Sequence, residues 1–203
     1  GIPRLALVGG VVRDQLLHQR CGRAWSGVPD LDWVVEGDAA ALVAELVRQF
    51  GSQRITDVQE HRAFSTVAFQ LDGIPLDLAT ARQEHYPAPA ENPVVRSGTL
   101  QADLARRDFT VNAMALDLVA DELIDLYHGQ EDLASGRLRF LHGGSVQDDP
   151  TRVIRAARYA ARLGFQLAEE SRVQILSTVE QWPWGWRQGD AATAAPPALA
   201  TRL

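Results

Sequence analysis

The stretch LVGGVVRDQLL, Leu7 to Leu17, breaks an apolar run at Gly9-Gly10 and resumes at once with helical spacing to about Arg20, stopping near Gly22. A short strand, RLALV, therefore turns into a helix through a glycine pair. Such a turn lets the backbone approach a ligand closely, and the open N–H groups and positive dipole of the helix start favour an anion. Arg13 stands on the first turn. Next comes PDLDWVVEGD, Pro29 to Asp38, read as a second strand. With a side-chain period of two, Asp30 and Asp32 share one face while Leu31 and Trp33 point to the core. Two carboxylates that close repel each other, and a divalent cation such as Mg²⁺ relieves this with oxygen ligands. A solvated strand face is the plainer alternative.

Further along, Leu42, Val43, Leu46, Val47 and Phe50 form one stripe of a helix over residues 39–50, ended by Gly51. STVAFQL and IPLDLAT flank Asp72-Gly73, the signature of a tight hairpin. On the second strand, Leu76 and Leu78 aim Asp77 away from the core, either toward the same metal or simply into solvent. The proline-rich YPAPAENP, Tyr86 to Pro93, is a loop. ADLARRDFTVNAMAL, 102–116, reads as a helix, and DELIDLYHGQEDLASGRLRFL as a strand or turn followed by a short helix. Gly143-Gly144 leads into a long helix with Pro150 in its first turn, ended by Gly164. The order of elements predicts a mixed α/β head. No repeats occur, and a chain that opens without methionine and stops in mid-pattern reads as part of a longer protein.

Composition narrows the classes. The chain has 203 residues, 46% of them hydrophobic, enough for one mid-sized domain or a domain plus a small second one. No apolar run reaches the roughly 18 residues of a membrane span, and the start lacks signal-peptide features, so a soluble, cytoplasmic protein without a membrane partner is expected. A single cysteine, Cys21, excludes an intramolecular disulfide framework, and the five histidines show no metal-ligand spacing. The net charge of -6 argues against nucleic-acid binding by bulk electrostatics but leaves local patches open. All 20 basic residues are arginine, seven of them between Arg137 and Arg172 against four acids. Any phosphate here is thus held by guanidinium or backbone groups. Carboxylates beside an anion cradle are the two halves of a site for a nucleoside triphosphate and its Mg²⁺.

At this point four segments speak together. LVGGVVRDQLL with DLDWVVEGD resembles the first motif of class II tRNA nucleotidyltransferases and bacterial poly(A) polymerases, members of the DNA polymerase beta superfamily. DLARRDFTVNAMAL (Asp103 to Leu116) is similar to the second motif, DLYHGQEDLASGRLR (Asp125 to Arg139) to the third, and DDPTRVIRAARYAARLGF (Asp148 to Phe165) to the fourth. The resemblance implies an α+β fold: a polymerase-beta-like nucleotidyltransferase head with a mixed or antiparallel sheet flanked by helices over residues 1–141. The start of an all-helical neck then occupies residues 142–203. It implies that Asp30 and Asp32 bind catalytic Mg²⁺, with Asp77 as a further candidate, and that Gly9, Gly10 and Arg13 hold the triphosphate. It also sets Arg107, Asp108 and Asn112 beside the nucleotide, although capping and salt bridging account equally for Asp108 and Asn112.

In the fourth motif the family reads the base with an acid and an arginine three apart, here Asp149 and Arg152. Residues at i and i+3 share a helix face, so an acceptor and a fork of donors are presented together. These suit the edges of cytosine and adenine and mismatch uracil and guanine. An Asp before Pro150 is also what a helix cap looks like. Arg155 and Arg158, with Arg162, continue roughly the same stripe toward phosphates. Asp148 stands where the family commonly has a glutamate. Trp182, Trp184 and Trp186 suggest base stacking or, more simply, packing. The implied activity is template-independent addition of C, A or both to the 3′ end of tRNA from CTP and ATP, with release of pyrophosphate. A poly(A) polymerase acting on mRNA, a non-catalytic nucleotide sensor and a purely structural domain are the alternatives, and no protein partner is inferable.

Overall fold

The computed structural model describes residues 4–24 and 31–181. Asp30 and the tryptophans 182, 184 and 186 lie outside the described residues. β1 (Leu5–Val8) runs into Gly9, whose φ of 73° suits glycine, and α1 (Gly10–Cys21) follows and stops at Gly22 in the left-handed conformation. β2 (Asp32–Val35) leads to α2 (Ala39–Phe50), which Asp38 caps by accepting from the amides of Ala40 and Ala41. β3 (Ile55–His61), β4 (Thr66–Leu71) and β5 (Ile74–Thr80) come next, the last two joined through Asp72 and Gly73, both at positive φ, as a two-residue hairpin requires.

β6 (Arg82–His85) and β7 (Val94–Ser97) pair only with each other, and α3 (Leu100–Ala105) follows. After one 3₁₀ turn at Thr110–Asn112 come β8 (Met114–Asp117), β9 (Glu122–Asp125), α4 (Gly129–Ala134) and β10 (Arg137–Leu138). α5 (Ser145–Asp148), α6 (Thr151–Leu163), β11 (Gln166–Leu167) and α7 (Glu169–Glu180) complete the described residues. No helix among them is long and apolar enough to cross a membrane.

Seven strands form one sheet in the order β3-β4-β5-β2-β1-β8-β9, antiparallel except for the parallel β2–β5 pair. The fold is α+β with a mixed sheet. One face carries Val35, Val67, Phe69 and Leu78, onto which α2 packs Ala39 and Val43. The opposite face carries the small residues Ala6, Val8, Val34 and Ala115, covered by Leu100 and Leu104 of α3. A third cluster joins Val11, Val12, Leu16 and Leu17 of α1 to Phe109 and Met114 and, from α6, Ala156 and Leu163. Trp33 and Leu31 are partly buried against these clusters, as the strand pattern requires.

Three readings need correction. Residues 102–116 are not one helix. α3 ends at Ala105, and Phe109 is extended (φ -126°, ψ 149°) and bridges Phe140. The cause is local: the Asp108 carboxylate accepts from the Phe109 amide (2.8 Å) and the Asn112 amide group (2.9 Å), offering the backbone an alternative to helix. Phe109 gains full burial, stacked on Phe140 at 5.1 Å. Nor does one long helix follow Gly144. Asp149, ahead of Pro150, is extended (φ -138°, ψ 92°), as the proline ring demands of its predecessor, and α5 and α6 are separate. Finally, β3, β6 and β7 were not expected as strands. β7 is exposed at all four positions and shows no alternation to read.

Candidate functional site

A cleft of about 340 Å³ opens where β1 hands over to α1. Because β1 pairs Leu7 with Trp33, the bend at Gly9 comes out beside Asp32. A Cβ at Gly9 would stand 2.8 Å from Arg107 Nη1 and would push that guanidinium aside, while Asp32 Oδ2, at 4.0 Å, would be in ordinary contact. The Gly9 amide donates to the Met114 carbonyl (3.3 Å), which ties the bend to β8. α1 then starts with no side chain capping it and with Gly10 on the cleft. An uncapped helix start facing a polar cleft is an anion cradle.

Asp32 lies in register with Asp77 on the parallel neighbour β5, both exposed and on the same side. Asp32 lines the cleft and Asp77 stands just outside its lining. Among the described residues, no group of three or more His, Cys, Asp or Glu is gathered around a metal position. Two exposed carboxylates side by side next to a glycine bend nevertheless fit a hard cation in ligand type.

The end of α3 supplies the next wall. Arg106 (Nε 3.0 Å, Nη2 2.8 Å) and Arg107 (Nη2 2.9 Å) both donate to Asp103, which has no exposed surface. Burial pushes the Asp103 carboxyl up, but Arg107 and Arg106 outweigh it and hold it below the usual value. β6 faces this wall. Glu84 pairs with Arg82 (3.1 Å) and Arg106 (3.2 Å) and accepts from the Tyr86 hydroxyl (3.0 Å). Burial, then the Glu84 charge, push the Tyr86 phenol up to about 12. The β6–β7 loop docks on α5 through the Ala90 amide and the Gln147 carbonyl (2.9 Å).

The opposite wall is α6, whose Arg152, Arg155 and Tyr159 share a stripe at spacings of three and four. Arg152 is buried and donates to the carbonyls of Arg106 (2.7 Å) and Ser145 (3.4 Å). Asp149 Oδ1 accepts from the Thr151 amide (3.1 Å) and hydroxyl (2.6 Å), so it satisfies the first amide of α6 while lining the cleft. Arg155 binds Asp108 through Nε (2.8 Å) and Nη2 (2.6 Å). Burial, which lowers Arg155, is outweighed by that carboxylate, and the net shift is upward.

Of the residues singled out from the sequence, the cleft gathers Gly9, Gly10, Asp32, Arg107, Asp108, Asn112, Asp149, Arg152 and Arg155. Arg13 and Arg158 do not line it. Arg13 is buried behind it, and Arg158 is exposed with its guanidinium 5.3 Å from the Tyr159 ring. Arg82, Glu84, Tyr86, Arg106 and Tyr159 were missed. A signal existed for the first three, since positions 82, 84 and 86 alternate onto one face once 82–85 is read as a strand.

A family model described as the poly A polymerase head domain matches residues 5–139. The chain belongs to that family. Relatives of this head domain include an A-adding tRNA nucleotidyltransferase of Aquifex aeolicus, 41% identical over 87% of this chain and 20% of the relative. A CC-adding tRNA nucleotidyltransferase of Deinococcus radiodurans is 41% identical over 98% of this chain and 52% of the relative. Among solved structures, a CCA-adding enzyme in an apo form superposes with a TM-score of 0.77 at 36% identity, over 88% of this chain and 41% of the other. A tRNA nucleotidyltransferase complexed with a primer tRNA and an incoming ATP analog gives 0.70 at 36% identity, over 88% and 47%. The poly A polymerase head is thus shared, while this chain spans from a fifth to about half of these relatives.

Proposed function

We propose that this chain carries the catalytic head of a template-independent RNA nucleotidyltransferase that adds C, A or both to the 3′ end of tRNA from CTP and ATP. One observation carries the reading: Asp32, in register with Asp77, stands beside the glycine bend that opens an uncapped helix, with Arg107 packed over that bend. A carboxylate for a cation, with a second in register beside it, and amides for a polyphosphate therefore meet at one bend. The names of the relatives, A-adding and CC-adding, supply the substrate class.

In this reading Asp30 and Asp32, with Asp77 in register with Asp32, would hold Mg²⁺, which when bound would neutralise phosphate charge and lower the pKa of an attacking hydroxyl. The chain's own groups do the rest. The amides at the start of α1 and the Arg107 and Arg155 guanidiniums orient the triphosphate for in-line attack by an RNA 3′ oxygen on the α-phosphate, with pyrophosphate leaving. Asp108 and Asn112 flank the sugar. Arg152, fixed between two carbonyls, and Asp149, fixed by Thr151, read the base edge without a nucleic-acid template. Residues 1–141 form the head and 142–203 the start of a helical neck.

Primer extension tests this, using a protein that carries this chain together with the further length its relatives have. Asp32→Ala should abolish extension of tRNA, and retained extension would refute the metal assignment. tRNAs ending at each stage, offered one labelled nucleotide at a time, separate CCA, CC and A addition. The family description keeps a poly(A) polymerase in view, and preference for unstructured RNA over tRNA as primer would favour it.

A further inference from the structure

Tyr159 is half-buried on α6, one turn beyond Arg155, and lines the cleft. Its ring accounts for its packing. It meets Phe109 edge-on at 5.7 Å, and the guanidiniums of Arg13 and Arg158 each lie 5.3 Å from its centroid. A phenylalanine would do all of this. The hydroxyl is left over: among the described residues it has no hydrogen-bond partner, and it is not sealed from water either. A tyrosine packed on this scale normally spends its O–H on a protein acceptor, so a phenol on a cleft wall without one is available to a ligand.

The position along the cleft decides which part of a ligand it meets. Asp149, Arg152, Arg155 and Tyr159 follow one another along the wall, and Tyr159 lies about 10 Å of helix rise beyond Arg152. At that far end stands the start of α1. The Arg13 guanidinium that packs against the tyrosine ring is also 3.6 Å from where a Cβ on Gly10 would be, and Gly10 opens the helix that no side chain caps. Arg155 gives a second bearing. Burial lowers its pKa, Asp108 more than offsets this, and the Tyr159 phenol adds a smaller upward push, which sets the phenol within reach of that guanidinium. The base-reading pair thus sits at one end of the wall and the anion cradle at the other, with the hydroxyl on the cradle side.

We propose that the Tyr159 hydroxyl donates to the polyphosphate tail of the nucleotide, beyond its α-phosphate, and so favours triphosphates over monophosphates in this cleft. This rests on the reading of the cleft as a nucleotide site. A phenol suits the task, because an O–H on an anionic oxygen makes a short, charge-assisted bond. Unlike a further arginine, it adds no charge to hold pyrophosphate back as it leaves.

The test is Tyr159→Phe in the longer protein, with calorimetric titration of ATP, AMP and inorganic tripolyphosphate. The variant keeps the ring, so its thermal unfolding should match the parent's. ATP and tripolyphosphate should each bind about tenfold more weakly, the loss expected for a hydrogen bond to a charged group, while AMP keeps its affinity. Unchanged ATP affinity, which a solvent-facing phenol predicts, overturns the proposal. Equal losses of ATP and AMP overturn it too, by placing the hydroxyl on the base, the sugar or the α-phosphate, or, if the unfolding temperature also falls, in the packing of α6. A parent that binds tripolyphosphate but not ATP would refute the nucleotide reading alone, and tripolyphosphate would still decide the contact. Binding of neither would refute both.

Discussion

A methyl group at residue 9 has nowhere to go without moving Arg107. Gly9→Ala combines a positive φ with a 2.8 Å approach to Nη1, and the arginine tip is the softer of the two. The backbone strain should cost about 1–3 kcal/mol, read by chemical denaturation. The displaced guanidinium should weaken triphosphate binding beyond that loss, and unchanged ATP affinity would remove Arg107 from the phosphate site. Asp103 is the other residue on which much hangs. Its folded pKa lies below the ordinary 3.8, so its contribution is fully present above that value and fades as pH falls through the lower folded one. Asp103→Asn leaves Arg106 and Arg107 without their shared anion, at a cost of about 3 kcal/mol, and should flatten the stability loss below pH 3.8. An unaltered acid limb would show that other carboxylates govern it.

At the scale of elements, β6 is a short strand that carries one charge cluster. Glu84→Gln removes the anion next to Tyr86 while leaving the burial that is the larger cause of its shift. The phenol should therefore ionise below about 12 but still above the ordinary 10.0, in an ultraviolet titration assigned with Tyr86→Phe. A titration that stays put would uncouple the two. This strand is easily passed over because it carries no apolar run, its partner β7 is wholly exposed and the pair lies outside the main sheet, so the alternation of positions 82, 84 and 86 is its one mark. α1, α2 and the β4–β5 hairpin were legible because glycines and the Asp-Gly turn punctuate them. The split at Pro150 was legible in principle, since proline restricts the residue before it. The break after Ala105 was not. The local Asp108 and Asn112 bonds that break the helix are reinforced by Arg155 and Arg13, from helices far apart in sequence. Asp32 and Asp77 could each be suspected from alternation, yet their register needed the parallel pairing of β2 with β5.

Over the whole molecule, the proposed function requires a net charge of -6 to coexist with a polyanionic primer. The arginines of α6 resolve the conflict by facing two ways. Arg152 and Arg155 line the cleft, whereas Arg158 and Arg162 are exposed outside its lining, the latter only loosely held at 3.5 Å from Asp14. An exposed guanidinium meeting RNA phosphate releases counterions, and each such contact adds about 0.7 to the slope of log affinity against log salt for a single strand. Arg158→Gln should therefore lower that slope by about 0.7 in primer-binding titrations at several salt concentrations. The same change at Arg48, exposed on α2 and paired with Glu45, should leave the slope alone. Equal slopes for both variants would mean that the primer does not run along α6 and that its phosphates are met elsewhere.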